Sequence, residues 1–511
     1  MVARRPIPFV VARLLLTGRK GGGHGWGMRV LGGVSAVIFL GILAGCGPKG
    51  PVGFDDGGAG DAADMDGGTC DPNDPFCDPN LGDGSSAEAA PPCENLKCQQ
   101  VSCGGGGTTS ISGTVYDPAG KNPLYGVVVY VPNSLNAALD TIPHGPICDS
   151  CGGANVSGKP IVTTLTDPLG HFTLKDVPAG SNIPLVIQAG KWRRKLTVST
   201  VAQCTDNPIK DTGNPDTRLR FPRNKNEFGG AANGASMPLI ALTGGCDPVH
   251  VLMQKIGIDI SEFTNNAGNG MVRVYKGTGS YNGGVANATD AYAFWGNKAE
   301  IFKYDIMINE CECSPYPRDT MGPAYQNVAD FLNAGGRVFN THYHLNFFGS
   351  SSENGGKANA SLQAAADWTL WSGSSGGTPP MLIDTSFPKG KAMDDWLEGL
   401  KTGSTWTGIK TTPKGQIQTS TVGDIKAAKM GISQRWIYPS NGVNVSYISF
   451  NTPTNLPPDK RCGRAVGNDI HVGNGSLTTM SEQEAALEFM FFDLAACVID
   501  DNTVPKPPDP T

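Results

Sequence analysis

Apolar and polar positions divide the chain into stretches of different rhythm. An apolar run from Val34 to Leu43 follows Met28 and Arg29 and ends in Leu43-Ala44-Gly45-Cys46. From Gly47 to Thr109, Gly, Asp, Ser and Pro dominate and large apolar side chains are scarce. Such a segment cannot bury enough surface to offset the entropy of ordering it, which predicts a disordered tether over 47–109. Its aspartates, Asp55, Asp56, Asp61, Asp64 and Asp66, keep it extended. From Ser110 short β-type runs alternate with turn residues: Ile111 to Tyr116, Val127 to Val131, Ile161 to Leu165, His171 to Leu174, Ile183 to Gln188 and Lys195 to Val198. That spacing predicts a small β-sandwich over 110–201, followed by a linker over 202–236.

From Met237 the rhythm changes to strands alternating with helical periodicity. Strands are expected at Leu239 to Leu242, Met271 to Tyr275, Tyr304 to Ile308, Arg337 to Thr341, Val443 to Phe450 and Ala465 to His471. Helices are expected at Val249 to Ile256, Tyr325 to Asn333 and Glu482 to Ala496. This order predicts an α/β domain over 237–498 with a mostly parallel sheet and right-handed crossovers. The stretch from Ser350 to Lys429 is less regular, with Trp368, Trp371, Trp396 and Trp406 as packing anchors. Residues 499–511 read as a disordered tail. The fold class is therefore multidomain, a β-sandwich followed by an α/β domain.

The start of the chain resembles a secretory signal ending in the bacterial lipobox, with Cys46 as the lipidated residue. The apolar run is shorter than the roughly 20 residues a spanning helix needs, and a second apolar patch, Phe9 to Leu16, makes Met28 the expected start of translation. The resemblance implies an exported protein held on a membrane by a lipid. Gly47, in place of an aspartate after the lipidated cysteine, points to the outer membrane. The chain has 511 residues and a net charge of −6, with 17% charged residues, 69 glycines and 38 prolines. No basic footprint for nucleic acid is present. Fourteen cysteines suit an oxidising compartment. With Cys46 set aside, an odd number remains, so at least one is unpaired within the chain. Cys70, Cys77, Cys93, Cys98 and Cys103 are expected to pair locally within the tether.

Gly113-Thr114-Val115-Tyr116-Asp117-Pro118-Ala119-Gly120, Pro123-Leu124-Tyr125-Gly126-Val127, Thr166-Asp167-Pro168-Leu169-Gly170-His171-Phe172-Thr173-Leu174 and Val177-Pro178-Ala179-Gly180 together resemble the carboxypeptidase regulatory-like, transthyretin-like family. That resemblance covers Ser110 to about Val201, with an insertion from Asn133 to Lys159 carrying Cys148 and Cys151. It implies a binding or folding module without catalytic residues. Trp192-Arg193-Arg194-Lys195 is the one basic cluster; an exposed Trp beside arginines would suit an anionic glycan, whereas a hairpin tip with a partly buried Trp is the plainer expectation. Envelope proteins are the other partners such a module implies.

Lys303-Tyr304-Asp305-Ile306-Met307-Ile308, Phe331-Leu332-Asn333-Ala334-Gly335-Gly336 and Arg337-Val338-Phe339-Asn340-Thr341-His342 resemble the class I glutamine amidotransferase-like superfamily, including its ThuA-like branch. That family places a cysteine nucleophile in a tight turn after a strand and a His-x-Glu pair after a later one. Here the turn position falls at Thr341 or His342, and Gly473 stands where the glutamate belongs after His471, so glutamine hydrolysis has no mechanism. A non-catalytic role follows as the leading expectation, with a metal-dependent or ThuA-like enzyme on a sugar derivative as the alternative.

In open α/β sheets ligands bind beyond the carboxyl ends of the strands. Those ends carry Thr243-Gly244-Gly245-Cys246-Asp247, Glu310-Cys311-Glu312-Cys313, His342-Tyr343-His344 and Asp469-Ile470-His471. Residues two apart on a strand share a face. His342, His344 and His471, with Glu310 or Asp469, are therefore candidate ligands for a divalent metal such as zinc. The plain alternative is that the histidines only cap strand ends. For the cysteines, Cys462 with Cys497, and Cys246 with Cys311 or Cys313, are the expected staples.

Overall fold

The computed structural model describes residues 93–149, 156–277, 284–312, 321–350, 358–371, 376–409, 412–473 and 475–511. Cys46, Cys70, Cys77, Cys151 and Cys313 lie outside them, as does the tether up to residue 92. All described residues belong to one compact unit, Glu88–Thr511. Among them no helix is long and apolar enough to cross a membrane.

Seven strands open the unit: β1 Ser110–Thr114, β2 Val128–Pro132, β3 Pro160–Leu165, β4 His171–Lys175, β5 Gly180–Ala189, β6 Trp192–Val201 and β7 Asp206–Pro208. They form a three-stranded sheet, β4-β1-β7, and a four-stranded sheet, β3-β2-β5-β6. In β4 the His-Phe-Thr-Leu-Lys alternation puts Phe172 and Leu174 inward and the polar residues out. The turn before it needs its glycine: Gly170 has φ +74°, and the Asp167 carboxylate accepts the N–H groups of Leu169 and His171. Ile111, Val129, Leu174 and Ile187 meet in a core that continues into the second half of the molecule.

The α/β part contributes β8 Ile240–Gly244, α1 Val249–Lys255, β9 Phe263–Thr264, β10 Val272–Lys276, α2 Ala291–Trp295, α3 Lys298–Ile301, β11 Ile306–Asn309, α4 Ala324–Asn333 and β12 Arg337–Thr341. Then follow α5 Ala360–Gln363, β13 Ala366–Trp368, β14 Met381–Ile383, α6 Pro388–Gly403, β15 Gln416–Ile417, β16 Ile425–Ala428, β17 Ser433–Tyr438, β18 Tyr447–Thr452, β19 Gly463–Asn468 and α7 Glu482–Ala495. One sheet runs β15-β14-β17-β18-β19-β12-β11-β8-β10-β9. From β19 to β9 all pairs are parallel, and from β19 to β15 all are antiparallel. The sheet is thus mixed rather than mostly parallel. Two of the four antiparallel strands, β14 and β15, come from the irregular stretch, which also supplies α6 and keeps Trp396 and Trp406 buried as anchors; β17 and β18 follow it. Strands β11, β12 and β19 are buried at every position, as strands covered on both faces must be.

Three expectations about connecting segments are corrected. The 202–236 stretch is not a bare linker, because it contributes β7, a buried Phe221 and an Arg220–Glu227 ion pair of 2.5 Å. The 499–511 tail is not loose: Asp501 is buried against Arg464, and the Thr163 hydroxyl donates to the Pro508 carbonyl at 2.5 Å. The end of the tether is fastened too, since Cys103 bonds Cys204 rather than a near neighbour, although Cys93 and Cys98 do pair locally. Trp192 is wholly buried between Phe221 and Phe492, with ring centroids 6.1 Å from each, so it offers no glycan surface.

The insertion carrying Cys148 is held at two points. Asp305 accepts from Gly145 N and pairs with His144 and Lys191 at 2.7 and 2.5 Å. Cys148 itself bonds Cys462, which corrects the expected Cys462–Cys497 staple. Cys246 and Cys497 are also in disulfides. Cys311 is not; it is the free cysteine among the described residues.

Candidate metal centre at the strand ends

Four parallel strands deliver their following residues to one edge of the sheet. The loops after β8, β11 and β12 are laced together there: Cys246 N donates to the Cys311 carbonyl at 2.9 Å, and Cys311 N to the Thr341 hydroxyl at 2.7 Å. At Thr341 the chain leaves β12 and enters a short 3-10 helix, His342–Phe347, without a connecting residue. His342 takes up the change of direction with φ +33°, a left-handed conformation that is rare for a side chain of its size. Such strain costs of order 1–3 kcal/mol and persists where the surroundings enforce it.

That turn aims His342 at its neighbours. Its Nδ1 lies 3.1 Å from Cys311 Sγ, and its ring meets His471 edge-on with centroids 4.5 Å apart. Cys311, His342 and His471 each present one donor atom within 4.8 Å of the others. Cys311 and His342 are buried, whereas the His471 side chain is 57% exposed and opens the cluster to solvent. Two carboxylates stand behind the imidazoles. Asp247 Oδ1 is 3.3 Å from His471 Nδ1, and Asp424 Oδ2 is 3.7 Å from His342 Nε2.

Of the five candidate ligands, the structure brings His342 and His471 together and sends the other three elsewhere. His344 turns to Glu312 Oε1 at 3.2 Å and packs against Trp295 and Phe347. The same-face rule fails for it because β12 has already ended. In a 3-10 helix of three residues per turn, positions two apart point about two-thirds of a turn from one another. Glu310 accepts from Gly245 N and Val249 N at 2.6 and 3.2 Å, tying the β8 loop to α1. Asp469 accepts from the Thr421 hydroxyl and from Gly423 N and Asp424 N, at 2.6, 2.6 and 2.8 Å. Both acids are structural. Cys311, assigned from sequence to a disulfide, takes the third donor position instead. An odd cysteine count beside a histidine-bearing strand end is the signal that could have placed it there.

Without a bound cation, burial sets the proton distribution. Burial, and then the charges of His471 and His344, press His342 down to about 3. Burial followed by Asp247 pushes the Cys311 thiol up. The hydrogen bond to Asp247 raises His471. Burial, then Asp469, raises Asp424 to about 7. A neutral imidazole beside a protonated thiol is the outcome, which makes Cys311 a poor nucleophile. A dication reverses this order, because a coordinated thiol gives up its proton outright.

No family model matches the chain, and no curated protein matches it. Among solved structures, a type II cohesin–X-dockerin complex from Acetivibrio cellulolyticus is 14% identical over 31% of this chain and 75% of that one, with a TM-score of 0.15. BcpA, the major pilin subunit of Bacillus cereus, is 16% identical over 23% of this chain and 30% of that one, with a TM-score of 0.13. Likeness at this level carries no argument about fold or function.

Proposed function

We propose that this chain is a cell-envelope lipoprotein, anchored through Cys46, whose α/β domain binds a divalent transition metal on Cys311, His342 and His471. The single observation that carries the reading is the convergence of a free thiol and two imidazoles within 4.8 Å at the carboxyl ends of parallel strands. A set of one sulfur and two nitrogens suits zinc better than magnesium or calcium, which prefer oxygen. Three protein ligands leave one tetrahedral position for water or a bound group. Protein purified without a polyhistidine tag should carry stoichiometric metal, and Cys311→Ser and His342→Ala should each lose it. Metal retained at full occupancy by both variants would place it elsewhere.

The envelope assignment draws on the lipobox and on the disulfides, which persist in oxidising compartments. Its test is Cys46→Ser, which should abolish incorporation of labelled fatty acid and release the protein from membranes. Under this reading the two small sheets are a carboxypeptidase regulatory-like β-sandwich that docks an envelope protein. The later strands are an amidotransferase-like domain, supported by the six parallel strands and by the abrupt turn at His342. The turn carries a histidine where that superfamily carries its nucleophile, which leaves glutamine hydrolysis without a mechanism there. An enzyme acting on a sugar derivative is the second reading. What favours it is the aromatic wall beside the cluster, in which Tyr343 lies 4.1 Å from the His342 ring and 6.0 Å from Trp371.

A further inference from the structure

The two carboxylates behind the histidines bear on how the cluster holds its ion, and their role rests on the metal binding proposed for Cys311, His342 and His471. An imidazole has two nitrogens, and the one that hydrogen-bonds outward carries the proton while the other offers its lone pair. Asp247 faces Nδ1 of His471 at 3.3 Å and is itself fixed, its Oδ2 accepting from Val472 N at 2.9 Å. Asp424 is fixed on its Oδ1 by Trp371 N at 2.7 Å, and its Oδ2 points at Nε2 of His342. At 3.7 Å that contact is too long for a formed hydrogen bond. Yet Asp424 Oδ2 is buried with no donor of its own, a costly state for a carboxylate oxygen. A protonated Nε2 on His342, moved by a few tenths of an ångström, would satisfy it.

We infer that Asp247 and Asp424 are positioning residues that fix the two tautomers in opposite senses, so that the metal is held by Cys311 Sγ, His342 Nδ1 and His471 Nε2. His342 Nδ1 is the nitrogen that already lies 3.1 Å from the sulfur. The other arrangement, with His342 coordinating through Nε2, turns its free nitrogen toward the thiol and leaves Asp424 Oδ2 without a donor. The open coordination position then faces the solvent side, where His471 is exposed. Neither aspartate touches the metal.

Two measurements on the full chain test this. In the first, metal-free wild type, Asp247→Asn and Asp424→Asn are titrated with cobalt(II), following the thiolate-to-cobalt charge-transfer band. Each variant should bind roughly 10–100-fold more weakly than wild type with the band retained, while thermal unfolding of the metal-free proteins stays matched. A purely structural role would lower unfolding temperature and leave affinity in the folded protein unchanged. If wild type binds cobalt and both variants bind it equally well, the positioning role falls and the metal reading stands. If wild type binds no cobalt, both fall. The second needs no variant. With NMR-active cadmium bound to nitrogen-15-labelled wild type, metal coupling should appear on Nδ1 of His342 and Nε2 of His471. Coupling to Nε2 of His342 would overturn the inference whether or not the variants fold.

Discussion

The sulfur of Cys311 and Nδ1 of His342 lie 3.1 Å apart, joining the ends of two adjacent parallel strands, β11 and β12. Cys311 is wholly buried and its thiol stays protonated when no cation is present. Metal-free native protein should therefore resist a small alkylating agent at Cys311. After unfolding without reductant, Cys311 should be alkylated, while Cys103, Cys204, Cys148 and Cys462 remain blocked. Peptide mapping by mass spectrometry reads both states. Rapid native labelling of Cys311 would show an accessible thiol at odds with this packing.

A second buried contact predicts how stability depends on pH. Asp117, in the turn after β1, and Glu488, on α7, are both buried and repel one another electrostatically, with Asn122 donating to Glu488 at 2.6 Å. Burial pushes Asp117 up to about 7, and burial together with Asp117 raises Glu488 well above the carboxylate range. The native state then holds protons that the unfolded chain releases near pH 4, so stability contributed at low pH is lost as pH rises from about 4 through about 7. Thermal unfolding measured across that window should show a declining midpoint in wild type and a shallower decline in Asp117→Asn. Identical profiles would contradict the upward shift of the buried Asp117 carboxyl.

The C-terminal segment should matter to stability. Arg464, with no solvent exposure, donates to Asp501 at 2.8 Å and pairs with Asp493 at 2.5 Å, while Lys389 reaches Asp501 at 3.1 Å. Burial alone would raise Asp501, but Arg464 and Lys389 lower it to about 2. Removing Asp501 leaves buried positive charge undercompensated, and Asp501→Ala should destabilise by about 3–5 kcal/mol in urea unfolding. A change below about 0.5 kcal/mol, the size of an ordinary surface substitution, would mean the tail is not docked in solution.

What the sequence made legible was what local pattern encodes. Strands β11 and β12 are runs buried on both faces, and they lie within two residues of where their apolar stretches place them. His342 and His471 followed from the rule that strand ends build the crevice. His344 did not, because the alternation rule was carried one turn beyond the end of β12. Cys311 was hidden by compartment logic, in which cysteines of an exported chain are read as disulfides. The linker and the tail were misread for another reason. Their fastenings are scattered contacts with residues distant in sequence, such as the backbone bridge between Tyr116 and Arg220 and the pairing of Arg464 with Asp501, and periodicity carries no trace of these.

Whether Cys311, His342 and His471 bind one metal together is tested most directly by X-ray absorption at the zinc edge of protein loaded with one equivalent. The expected spectrum has one sulfur scatterer at about 2.3 Å and two imidazole nitrogens at about 2.0 Å, with the sulfur shell absent in Cys311→Ser. A spectrum of oxygen and nitrogen scatterers alone, or a sulfur shell that survives Cys311→Ser, would contradict coordination by these three residues.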